Sequence, residues 1–166
     1  VFISTGLVKM ESNIEVVAII PARYKSNRFE GKPLAEICGK PMIQHVVERA
    51  QRVKLLSRVI VATDDQRIGD CVSLFGGEYV LTREDHVSGT DRLAEAAEKI
   101  GISEHDIVVN IQGDQPLFPE EVVEQVARPL IEDPALPMST LIYKIKRSEE
   151  IDDPNHVKTV FDRDNY

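Results

Sequence analysis

Apolar residues along the chain follow two rhythms. Short β-branched runs, nearly apolar throughout, occupy Val16 to Ile20, Arg58 to Ala62, Ile107 to Ile111 and Met138 to Ile142, with a shorter candidate at Tyr79 to Leu81. Such runs predict strands covered on both faces, because a strand with one wet face alternates apolar and polar positions instead. Between them the spacing becomes helical. Ile43, Val46, Val47, Ala50 and Val53 share one face, with Pro41 where a first-turn proline belongs. Leu93, Ala96, Ala97 and Ile100 form a second stripe, opened by Gly89 or Thr90 and stopped at Gly101. A third begins at Pro119-Glu120-Glu121 and turns Val122, Val123, Val126 and Leu130 inward, with both acids at the positive end of the helix dipole.

Strand and helix alternating in this order predict an α/β fold: a mainly parallel sheet with crossover helices on both faces. Ligands of such sheets bind beyond the carboxyl ends of the strands. Residues 21–33, 63–66, 82–91 and 112–118, the segments that follow the predicted strands, are therefore the candidate site loops. No internal repeat or low-complexity tract interrupts the pattern.

With 166 residues, 42% of them hydrophobic, the chain suffices for one domain with a sizeable core. A formal net charge of -8 argues against nucleic acid or an anionic membrane as partner, since phosphate-backbone binding needs a broad basic face. No stretch approaches transmembrane length. Cys38 and Cys71 lie far apart and lack metal-ligand spacing, so both read as reduced, partly buried thiols, and a cytoplasmic setting is the expectation. Val1 to Val8 has neither a basic flank nor a small-residue cleavage site, which argues against a signal peptide. Met10-Glu11-Ser12-Asn13 reads as a natural start, with the first nine residues upstream of it.

Against the acidic background, Arg23, Lys25, Arg28 and Lys32 crowd into one loop after the first predicted strand. That placement favours a phosphate site over a merely solvated basic loop. Arginine can grip phosphate oxygens with two parallel donors, and lysine supplies a compact charge that can follow a leaving pyrophosphate. The spacing is not that of a P-loop, because proline follows the lysine of Gly31-Lys32-Pro33. After Ile107 to Ile111 comes Gln112-Gly113-Asp114, whose aspartate suits Mg²⁺ and whose glycine allows close backbone approach. A turn closed by its own aspartate explains the same residues equally well. Ser88-Gly89-Thr90-Asp91-Arg92 offers hydroxyls and free backbone donors at a helix start, and N-capping accounts for it just as well. Asp64 and Asp65 read as caps of a following helix or as ligands. His45 reads as structural, His86 and His156 carry no role, and no nucleophile–base–acid set is present.

Taken in order, Ile20-Pro21-Ala22-Arg23-Tyr24 with Ser26 and Arg28, Gly31-Lys32-Pro33-Leu34, Gly39-Lys40-Pro41-Met42-Ile43-Gln44-His45, Ala62-Thr63-Asp64-Asp65, Ser88 to Arg92 and Gln112-Gly113-Asp114 closely resemble the 3-deoxy-manno-octulosonate (Kdo) cytidylyltransferases, or CMP-Kdo synthetases. The resemblance runs from about Glu15 to Tyr166 and matches the amino-terminal two-thirds of such an enzyme. It implies a Rossmann-like fold of the nucleotide-diphospho-sugar transferase type and transfer of a cytidylyl group from CTP to an acidic eight-carbon sugar. The products would be CMP-Kdo and pyrophosphate, for lipopolysaccharide synthesis. Arg23, Arg28 and Lys32 would grip the triphosphate and Ser26 would add a phosphate donor, with Lys32, Arg23 and Asp114 as the catalytic set. Asp114 would hold Mg²⁺, Gln112 and the Ser88 to Arg92 loop, with Ser88, Gly89 and Thr90, would contact the cytidine side, and Gly113 would face the nucleotide. Full-length members would be homodimers. Aligned displacement and charge neutralisation, rather than a covalent nucleophile, would drive such chemistry.

The chain departs from the family pattern at Asn27, at Glu30, which places an anion inside the phosphate loop that Lys25 or the metal would have to offset, and at Gln115, where glutamate is usual. The expected organisation is a tail over 1–14, a nucleotide-binding domain over 15–145, and over 146–166 the start of a sugar-binding and dimerisation portion. Val157 to Phe161 is expected to be a strand left without its returning partner. CTP binding with little or no turnover follows. The alternatives are a non-catalytic nucleotide-binding module and a cytidylyltransferase for another sugar acid, such as a sialic acid.

Overall fold

The computed structural model describes residues 14–25 and 29–163. Strand β1 (Val16–Ala22) lies inside a four-stranded parallel sheet, flanked by β4 (Arg58–Thr63) and β6 (Ile107–Asn110). Its register runs from Val17 opposite Arg58 to Ala22 opposite Thr63 on one side, and from Val16 opposite Ile107 to Ile19 opposite Asn110 on the other. Strand β5 (Glu78–Leu81) extends the sheet beyond β4. Between β1 and β4 stands a small antiparallel hairpin of β2 (Glu36–Ile37) and β3 (Lys40–Pro41). Its two-residue turn, Cys38 and Gly39, takes positive φ at both positions, the geometry that matches strand twist in tight hairpins.

Alternation along β1 builds two cores. Val16, Ala18, Ile20 and Ala22 pack against α1 (Met42–Ala50), α2 (Gln66–Leu74) and α4 (Glu121–Glu132), through Ile43, Val46, Val47, Ile68, Val72, Val123 and Ala127. On the opposite face Val17 and Ile19 join Ile60 and Ala62 under Leu93 and Ala96 of α3 (Gly89–Lys99). Ile19 and Ile20 are fully buried, each stabilising the fold by roughly 1.5–3 kcal/mol. The central strand β1 and the middle of β4 are apolar because both faces are covered, as their composition predicts.

Strand order β5-β4-β1-β6 means that the chain winds outward from β1 and then returns, through α3, to the far side of β1. The order reverses between β1 and β6, and the crevice at the carboxyl ends of two such strands is where ligands of these sheets bind. Among the described residues, no helix is long and apolar enough to cross a membrane.

Four expectations change. Met138 to Ile142 is not a strand: the segment is irregular, and Met138 remains 75% exposed. Apolar β-branched composition supplies strand propensity but no partner, and the Ser139 hydroxyl instead donates to the Val126 carbonyl of α4. Val157 to Phe161 likewise forms no strand, and Val157, Val160 and Phe161 are exposed; a four-residue helix, α5 (Glu149–Asp152), precedes it. Cys38 is exposed at its hairpin turn rather than partly buried, whereas Cys71 is half-buried, which pushes its thiol pKa up. Pro41 stands just before the first helical residue of α1, one position earlier than a first-turn proline.

Candidate functional site

The crevice between β1 and β6 joins two of the predicted site residues directly. Gly31, at φ 69°, occupies a left-handed conformation that favours glycine and starts a short 3-10 turn over Lys32–Leu34 with Pro33 buried beneath it. This turn aims Lys32 across the crevice, and its Nζ donates to Asp114 Oδ2 at 2.7 Å. Both side chains stay accessible, at 40% and 52% exposure, so the pair contributes little to stability and remains open to ligand. Gly113 has a local reason of its own: a Cβ there would lie 2.8 Å from the Pro21 carbonyl oxygen. The close approach it permits is that of one strand end to the other.

Thr90 and Gln112 come together elsewhere, along a cleft of about 540 Å³ lined also by Asn110, Gln115, Phe118 and Leu141. Gln112 Nε2 donates to Asn110 Oδ1 at 3.0 Å. Ser88 is the N-cap of α3, its hydroxyl accepting from the Asp91 amide at 3.1 Å while Asp91 returns the bond to the Ser88 amide, a capping box. Gly89 begins that helix. Arg23 is exposed just beyond β1 and forms no ion pair among the described residues. Ser26 and Arg28 lie outside the described residues. Neither Arg23, Lys32 nor Asp114 lines the Thr90–Gln112 cleft, so the structure gives two adjacent groups rather than one cavity.

Arg92, of the expected cytidine-side loop, does not line the cleft but belongs with Asp64, Asp65 and Glu95 to a set of residues that holds these loops in place. Arg92 is buried at the carboxyl ends of β4 and β5, where Nη2 donates to Asp64 at 2.8 Å and Nη1 to the Thr82 hydroxyl. Asp64 also accepts from the Tyr24 amide at 3.4 Å, and Thr82 donates to the Thr63 carbonyl at 3.1 Å. Asp65 caps α2, accepting from the Arg67 amide at 2.9 Å. One turn beyond Arg92, Glu95 collects the Arg83 amide, Lys99 and His86. His45 closes the β2–β3 hairpin through the Ile37 carbonyl at 2.7 Å, a structural use. One signal for Arg92 was present in the sequence: it lies four residues before Ala96, on the stripe that faces the sheet.

Lys25 pairs with Glu84 at 3.0 Å and so is not the cation that offsets Glu30. Glu30 instead lies within electrostatic reach of Arg67. No cluster of three or more potential metal ligands occurs among the described residues. A lone accessible carboxylate such as Asp114 fits an ion that arrives with most of its shell supplied by phosphate and water, which is the habit of Mg²⁺.

Comparison with known proteins gives these geometries a context. The family model described as Cytidylyltransferase matches residues 17–166. The 3-deoxy-manno-octulosonate cytidylyltransferase of Syntrophus aciditrophicus is 58% identical over 149 residues, which make up 90% of this chain and 60% of that protein. An 8-amino-3,8-dideoxy-manno-octulosonate cytidylyltransferase of Shewanella amazonensis is 51% identical over 92% of this chain and 63% of its own length. Among solved structures, CMP:2-keto-3-deoxy-manno-octonic acid synthetase complexed with CTP is 51% identical and superposes with a TM-score of 0.69, covering 74% of this chain and 50% of that one. A 4-diphosphocytidyl-2C-methyl-D-erythritol synthase, 18% identical at a TM-score of 0.55 over 69% of this chain and 53% of its own, shares the fold alone. The chain spans about 60% of the length of the first of these curated relatives.

Proposed function

Because the chain belongs to the cytidylyltransferase family, we propose that it carries the nucleotide-binding part of an Mg²⁺-dependent enzyme that moves a cytidylyl group from CTP to Kdo. The products are CMP-Kdo and pyrophosphate, and the pathway served is lipopolysaccharide assembly. The observation that carries this is the Lys32–Asp114 pair at the strand-order switch point, an accessible cation beside an accessible carboxylate.

Lys32, with Arg23 at the mouth of the crevice, neutralises the β- and γ-phosphates as charge builds on departing pyrophosphate. Asp114 would hold Mg²⁺, which when bound supplies further charge neutralisation at the phosphates. The anomeric hydroxyl of the sugar forms the new bond to the α-phosphorus, the bond to the β-phosphate oxygen breaks, and the hydroxyl proton is released. Ser88, Gly89, Thr90, Gln112 and Gly113 would position the cytidine side. Positioning and electrostatics suffice for this chemistry, in keeping with a site rich in cations and without a nucleophile.

A second reading, a nucleotide-binding module without turnover, is favoured by one observation: the Lys32–Asp114 pair and the Thr90–Gln112 cleft do not share one cavity among the described residues. Calorimetric titration of the whole chain with CTP, UTP, ATP and CMP, with and without Mg²⁺, tests the shared part of both. Preference for CTP strengthened by Mg²⁺ supports it, and equal affinity for the three triphosphates overturns it. Pyrophosphate release on adding Kdo or its 8-amino analogue then separates enzyme from module and one sugar acid from the other.

A further inference from the structure

We infer that Arg67 is a positioning residue for Lys32, acting through the ring of Tyr24; the inference rests on the triphosphate-binding role proposed for Lys32. Its guanidinium is oriented first by Asp65, which accepts from Nε at 2.8 Å and from Nη2 at 2.6 Å. Held this way, the guanidinium carbon lies 3.4 Å from the centroid of the Tyr24 ring. The same ring abuts Gly31, where a Cβ would come within 3.2 Å of its atoms. Gly31 in turn donates its amide to the Tyr24 carbonyl at 2.9 Å, closing the loop on itself immediately before Lys32.

Asp65, Arg67, Tyr24 and Gly31 thus form a continuous set of contacts from the loop after β4 to the residue beside the phosphate-facing lysine. Planarity explains the choice of arginine. A guanidinium can lie on the negative face of an aromatic ring while one of its edges remains doubly bonded to a carboxylate, which an ammonium cannot do. The arrangement also sets a cation near Glu30, the one anion of this loop that the family pattern lacks.

The test uses the full chain and two readouts: calorimetric affinity for CTP and for CMP in Mg²⁺, and backbone amide exchange across residues 29–35. Arg67→Lys keeps the charge and loses the stack, Tyr24→Leu keeps Arg67 and loses the ring, and Tyr24→Phe keeps both partners. We expect the first two to weaken CTP binding roughly two- to fivefold, the worth of an exposed cation–π contact, with CMP binding unchanged and exchange accelerated. Tyr24→Phe should match the parent in both. Parental CTP affinity and exchange in Arg67→Lys and Tyr24→Leu would overturn the inference. So would a defect in Arg67→Lys with none in Tyr24→Leu, which would mean that Arg67 meets the ligand itself. If the parent chain does not bind CTP, the proposed function fails while amide exchange still judges the anchor, equal rates counting against it.

Discussion

Replacing Arg92 by methionine should destabilise the chain far more than removal of any exposed cation. Its side chain is 5% exposed and that of Asp64 is 11%, so the pair at 2.8 Å is desolvated on both sides. Without the guanidinium, Asp64 keeps, among the described residues, only the Tyr24 amide at 3.4 Å as a hydrogen-bond donor, and the Thr82 hydroxyl loses its donor. An uncompensated buried charge of this kind costs roughly 3–5 kcal/mol, against about 0–1 kcal/mol for an exposed pair. Urea unfolding followed by circular dichroism gives the difference, with Arg128→Met, whose partner Glu124 is exposed, as the control. In the Arg92→Met/Asp64→Asn double variant the orphaned charge is gone, so most of the loss should be recovered, with a coupling of about 1–3 kcal/mol. A cost below about 1 kcal/mol for Arg92→Met, or a double variant as unstable as the sum of the singles, would refute the buried-pair argument.

Glu95 supplies a pH dependence. Lys99 beside it, helped by the Arg83 amide and His86, holds its carboxyl down to about 2 from the ordinary 4.5. A carboxylate depressed on folding stabilises fully above its unfolded value and loses that contribution as pH falls toward the folded one. The urea midpoint should therefore drop between about pH 4.5 and 2, and less steeply in Glu95→Gln; identical slopes would exclude the mechanism. Gly69→Ala reverses the usual preference within a helix, because its Cβ would lie 2.4 Å from the Tyr79 ring. Thermal denaturation should show a loss of roughly 1–3 kcal/mol, and a gain in melting temperature would mean that the ring moves aside freely. Lys32→Ala should weaken CTP binding about tenfold or more while sparing CMP, consistent with loss of a charge-assisted phosphate contact; equal losses for both ligands would remove Lys32 from the triphosphate. Asp114→Asn should flatten the Mg²⁺ dependence of CTP binding, and an unaltered Mg²⁺ titration would exclude it as the ligand.

What the one-dimensional pattern determined was everything that depends on near neighbours. Apolar runs without alternation marked β1, β4 and β6, since burial on both faces leaves few polar positions within a strand. Helical spacing marked the stripes of α1, α3 and α4, and the candidate cap Asp65 does cap α2. Gly31-Lys32-Pro33 and Gly113-Asp114 were visible as loops after strands, which is enough to place them at the ligand end of a parallel sheet. Met138 to Ile142 shows where that logic stops, for a strand requires a facing edge as well as propensity, and the segment stays largely exposed, bonded to α4 through Ser139. Only the tertiary structure decided that Lys32 meets Asp114, that Arg92 pairs with Asp64, and that Arg67 lies on Tyr24. Each of these contacts joins segments that follow different strands at the same end of the sheet. Their geometry is set by strand order and crossover direction, quantities that emerge from packing the whole chain and leave no periodic trace in any one segment of it.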